Sequence, residues 1–105
     1  MPLHIQKWER REGVDRDQFA RAALNVCRQA RSVAGVRDAR FYWANADTIG
    51  VAVSAEPGVW GPNSSSDPTP DGARVLFGLS DLAHMTQGEV WGDAAIGEQA
   101  YRMSR

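Results

Sequence analysis

The chain predicts an α+β fold: a four-stranded antiparallel sheet with two helices on one face. Three observations lead there. Leu3 to Arg10 and Thr48 to Ala55 alternate in polarity with period two, as half-buried strands do. Residues 15–34 repeat apolar side chains at spacings of three and four, as an amphipathic helix does. The chain has 105 residues, 43% hydrophobic and 24% charged, enough to bury one core and too few for two. A single domain over 1–105 is therefore expected.

The elements follow in order. Leu3 to Arg10 reads as the first strand, and Glu12-Gly13-Val14 turns out of it. Asp15 suits a helix N-cap, with Gln18 three residues on as in a capping box. Phe19, Ala23, Val26, Ala30 and Val33 form the helix's apolar stripe, and Gly35 is placed to end it. Val36 to Ala44 reads as a second strand. Asn45-Ala46-Asp47 then turns the chain into the third, Thr48 to Ala55, so a hairpin is expected. Residues 56–73 hold four of the five prolines and three consecutive serines, the composition of a long flexible loop. Arg74 to Ser80 reads as a fourth strand. A short helix from Asp81 and a last helix near 89–103 follow, the latter suggested by Thr86 and Glu89 as a second capping box. The predicted order is β-α-β-β-β-α, with the helices layered on one face of the sheet.

Bulk properties exclude several function classes. The net charge of −1 gives no global attraction to nucleic acid or anionic membrane. The sheet carries aromatics, but no basic face accompanies them, so nucleic acid is not an expected partner. No apolar run approaches the ~20 residues of a membrane span, and the N-terminus lacks a signal peptide's apolar core. Cys27 is the only cysteine, which fits a reducing, cytoplasmic setting. Its place beside the apolar stripe suits a small buried hydrophobe rather than a nucleophile. With two histidines and one cysteine no metal-ligand spacing exists, and no phosphate-cradling glycine motif occurs. Neither a metal nor another cofactor is expected.

Alternation divides the strand residues into two faces. One contains Leu3, Ile5, Phe41, Trp43, Val51 and Val53, and is expected under the helices. The other contains His4, Gln6, Trp8, Arg40, Tyr42, Gly50, Ala52 and Ser54. Large aromatics beside very small residues leave a concavity, the shape of a small-molecule pocket. Burial against a second copy would explain the same composition.

This layout resembles the ferredoxin-like dimeric α/β-barrel superfamily, which includes the antibiotic-biosynthesis-type monooxygenases. Four features carry the resemblance: the alternating strand Leu3 to Arg10, the capped helix Asp15 to Ala34, Gly35-Val36 opening the second strand, and the passage from Val75 through Ser80-Asp81 into Ala83. The resemblance implies a homodimer whose sheets pack face to face and enclose a substrate. It departs from that family in placing the final helix after the fourth strand. The Trp and His of heme-degrading members have no counterpart, since the matching positions hold Leu79 and, late in the last helix, Gln99 and Tyr101.

The candidate catalytic residues are His4, Arg40 and Tyr42. A histidine titrates near neutral pH and can act as acid or base. Arginine can hold a carboxylate or enolate in a bidentate fork, and tyrosine can donate a proton. The alternative readings are a hydrogen-bonded rim residue for His4 and, for Arg40, plain neutralisation by Asp38. Gln6, Trp8, Ser54 and Trp60 are the candidate ligand-binding residues, with Trp60 on a lid formed by 56–73. His84 is expected half-exposed on a helix. Two functions follow: a small-molecule-binding protein or cofactor-independent enzyme, monooxygenase- or cyclase-like, acting on an aromatic or polyketide-type compound; or a non-enzymatic dimerisation or protein-interaction module.

Overall fold

The computed structural model describes residues 2–60 and 70–92, with 70–73 as backbone only. Strands β1 (Leu3–Arg10), β2 (Val36–Asn45), β3 (Thr48–Ala55) and β4 (Ala83–Trp91) form one antiparallel sheet in the order β2-β3-β1-β4. Helices α1 (Arg16–Arg31) and α2 (Pro70–Ser80) lie on one face. Helix α1 packs on β2, β3 and α2, and α2 also meets β4.

The expected class and architecture stand: α+β, ferredoxin-like, four antiparallel strands backed by two helices. Within that class the second half differs from expectation. Residues 70–80 are helix and 83–91 are strand, so the chain runs β-α-β-β-α-β and closes with a strand. The reason lies in which side chains are buried. Val75, Leu76 and Leu79 are in the core while Phe77 is exposed, the i, i+1, i+4 spacing of a helix face. Pro70 occupies the first helical position, where its missing N–H costs nothing. Gly78 lets α2 approach α1 closely, since a Cβ there would stand 3.1 Å from Val26 Cγ2. The helix expected near 89–103 is excluded up to Trp91, and residues 93–105 lie outside the described set.

Helix α1 starts after Asp15, whose side chain makes no capping hydrogen bond, and closes at Ser32 rather than running to Ala34. The chain then turns into β2 through Gly35, at φ +90°. Val59, on the segment leaving β3, occupies the space a Cβ at this position would need. Arg10 and Arg11, at the end of β1, tie two turns together. Arg10 pairs with Asp47 and donates to the Val14 carbonyl at 2.6 Å. The Arg11 guanidinium donates to the Ser80 carbonyl at 3.1 Å.

The core lies between the sheet and the helices. Phe19, Ile49, Leu79, Val51, Val53 and Trp60 are fully buried there. Trp60 is thus an internal packing residue, which corrects its expected place on a lid. The remainder of the expected loop, 61–69, is outside the described residues.

Candidate functional site

With both helices on one side, the opposite face of the sheet is uncovered by any described element. Strand register orders that face into three rows. The first is Tyr42–Gly50–Lys7–Gln87, the second Arg40–Ala52–Ile5–Glu89, and the third Asp38–Ser54–Leu3–Trp91. Every β3 position is small, so a trough runs along β3 between the side chains of β2 and β1. Strand geometry makes it about 13 Å long, and about 10 Å separates the flanking backbones. A largely apolar concavity of about 460 Å³ occupies it, reaching from Tyr42 to Trp91. A Cβ at Gly50 would meet only the Tyr42 carbonyl oxygen, at 4.0 Å, so the trough above Gly50 is open space.

The β2 wall is a chain of polar contacts. Arg40 Nε lies 2.7 Å from Asp38 Oδ2. Asp38 chiefly, with help from a hydrogen bond to Tyr42, holds the Arg40 guanidinium more firmly charged than usual. The predicted neutralisation of Arg40 by Asp38 is therefore present. Arg40, Tyr42 and Ser54 all line the trough, as expected of candidate site residues on this face.

His4, Gln6 and Trp8 do not. All three are buried on the helix side, across from Val53, Val51 and Ile49 respectively. Leu3, Ile5 and Lys7 take the open face instead. This corrects the face assigned to β1, and with it the proximity of His4 to Arg40 and Tyr42. Burial alone lowers the His4 pKa, favouring neutral imidazole. His4 Nδ1, Trp8 Nε1 and Trp60 Nε1 are buried without a hydrogen-bond partner. The interior therefore carries three polar ring nitrogens among its apolar side chains.

Other candidates resolve simply. Cys27 is buried, and desolvation pushes its thiol up to about 11, so it is a packing residue. His84 is exposed on β4, paired across from Glu9, rather than on a helix. Among the described residues no group of three or more His, Cys, Asp or Glu could hold a metal ion. No helix among them is long and apolar enough to cross a membrane. Lys7 lies on the open face because β1 has the opposite phase to the one its polarity suggests. Its signal was the pairing position opposite Gly50.

No protein-family model matches the chain, and no curated protein matches it. Solved structures do share its fold. A protein assigned as an antibiotic biosynthesis monooxygenase from Nitrosomonas europaea superposes with TM-score 0.60 at 11% identity, over 89% of this chain and 98% of that one. A point mutant of SnoaB, a cofactor-independent oxygenase from Streptomyces nogalater, gives TM-score 0.58 at 8% identity, covering 88% and 91%. Rv0793 from Mycobacterium tuberculosis gives 0.53 at 10% identity, covering 89% and 95%. The chain thus has the fold of the antibiotic-biosynthesis-monooxygenase-like proteins, and the resemblance seen in the sequence holds at the level of fold.

Proposed function

We propose that the chain forms a homodimer through the open face of its sheet, and that the enclosed trough binds a small aromatic or polyketide-type compound. The reaction in view is a cofactor-independent, monooxygenase-like one. The observation that carries this reading is the uncovered trough along Gly50, Ala52 and Ser54, with Tyr42 and Trp91 at its ends. A face of about 20 by 25 Å has a planar area of about 500 Å², to which side-chain relief adds, against the ~800 Å² per partner of a standard interface. Tyr42, oriented by the Asp38–Arg40 pair, is the hydrogen-bond donor available to a substrate oxygen. Two proteins that share this fold are oxygenases by description, which supports the reaction class.

Native mass spectrometry of freshly purified protein tests the reading. A dimer carrying extra mass supports an occupied chamber. A clean apo-dimer favours the non-enzymatic alternative, in which the face serves association alone. A monomer overturns both.

A second reading is favoured by one specific observation, the orphaned polar atoms of His4, Trp8 and Trp60. In it the substrate enters between sheet and helices, where His4 would act as acid or base. His4→Gln then abolishes ligand retention while Gly50→Leu leaves it intact; the first reading predicts the reverse.

A further inference from the structure

We propose that Lys7 anchors an anionic group, and that the trough selects small aromatic acids (carboxylates, phenolates or enolates) over neutral aromatics. This rests on the reading of the open face as a ligand chamber.

The charges lining the trough are Lys7, Arg40 and Asp38. Arg40 is already committed to Asp38 at 2.7 Å. The other carboxylate on this face, Glu89, accepts from Gln87 Nε2 and from Trp91 Nε1, the latter at 2.9 Å. Lys7 has no carboxylate within ion-pair distance among the described residues. It is half-buried on the central strand β1, with the apolar Ile5 beside it and the bare backbone of Gly50 opposite.

An ammonium in such a place is tolerable while water reaches it. Once a second copy covers the sheet, that water is lost, and a lysine that stays charged needs a counter-anion. The trough offers the room. Across Gly50 stands Tyr42, so a planar ring lying over Gly50 would have the ammonium at one edge and the phenol at the other. Leu3, Ile5 and Trp91 continue the trough as an apolar bed for the rest of the molecule. A single acidic group on an aromatic body satisfies both halves of that surface. A neutral aromatic leaves Lys7 buried and unpaired.

Two fluorescent probes test this: 8-anilinonaphthalene-1-sulfonate, and N-phenyl-1-naphthylamine, which is the same skeleton without the anion. Wild-type protein should bind the sulfonate about ten- to a hundredfold more tightly, the scale of a charge-assisted hydrogen bond. Lys7→Gln should erase that preference and leave the neutral probe unchanged. Arg21→Gln, which removes a cation from the exposed side of α1 away from the trough, should keep it. Gly50→Leu should exclude both probes, with circular dichroism confirming that each variant is folded. If Gly50→Leu excludes both probes but Lys7→Gln leaves the preference intact, the chamber stands and the anchor is overturned. The anchor also falls if Lys7→Gln only shifts dimer to monomer, because the cation would then serve the interface. Wild-type protein that binds neither probe, or Gly50→Leu protein that binds both, overturns the chamber itself.

Discussion

Gly35→Ala tests how the segment after β3 is locked onto the turn into β2. Two costs act at this position. The backbone sits at φ +90°, where a Cβ costs roughly 1–2 kcal/mol. The new Cβ would also stand 2.7 Å from Val59 Cγ2 and 3.2 Å from Cγ1. Relieving such overlap costs about 1–3 kcal/mol. Together they predict a loss of about 2–5 kcal/mol. Gly13 separates the two effects: its φ is +86°, and a Cβ there meets nothing within 4 Å. Gly13→Ala should therefore show the backbone cost alone. Val59→Ala removes both clashing methyls, so in that background Gly35→Ala should cost no more than Gly13→Ala. Urea unfolding followed by tryptophan fluorescence at 25 °C yields all the differences. The reasoning is refuted if Gly35 and Val59 substitutions add within about 0.5 kcal/mol, the behaviour of uncoupled sites.

Three further predictions concern the interior. Trp60→Ala should cost about 3–5 kcal/mol in denaturant unfolding, and Trp60→Phe far less, because it also removes a buried N–H without a partner. His4 has a pKa lowered by burial, so below the ordinary value of 6.5 the unfolded chain binds more protons than the folded one. Stability is then full above 6.5 and falls as pH drops through that value toward the folded pKa. His4→Gln should lose less stability than wild type between pH 7.5 and 5.5 in urea titrations. Cys27, with its thiol at about 11, should resist Ellman's reagent at pH 8 in the native state and react fully in urea. Rapid native labelling would contradict its buried placement.

Much of the fold was legible in local pattern. Strands β1 and β3 occupy the residues their alternation predicts, and the stripe Phe19, Ala23, Val26, Ala30 faces the core. Arg74 to Ser80 was not, because a short apolar run satisfies a strand and a helix equally. The spacing of Val75, Leu76 and Leu79 against exposed Phe77 decides it only once burial is seen. β4 is an edge strand with few buried side chains, so its alternation was faint and a chance Thr86–Glu89 spacing resembled a cap.

The phase of β1 failed for a deeper reason. Both faces of the strand carry large apolar groups, Leu3 and Ile5 on one and Trp8 on the other. When the open face is apolar too, polarity no longer says which side is inside. Arg40, Tyr42 and Ser54 lie on the face their alternation predicts, because β2 and β3 have one plainly apolar side. Lys7 was hidden by the same ambiguity that misplaced His4.

The central position of β1 also governs how the chain can be made. The first strand synthesised is bonded on one side to β3 and on the other to β4, which ends at Trp91. The β2–β3 hairpin and α1 can assemble early, but β1 keeps one edge unpaired until β4 has been translated. At about 5–20 residues per second the wait from Ala55 to Trp91 lasts on the order of seconds. During that interval the nascent protein presents a strand edge flanked by Leu3, Ile5 and Trp8. Until β4 arrives, that open edge is the place where a nascent chain can pair with a foreign strand.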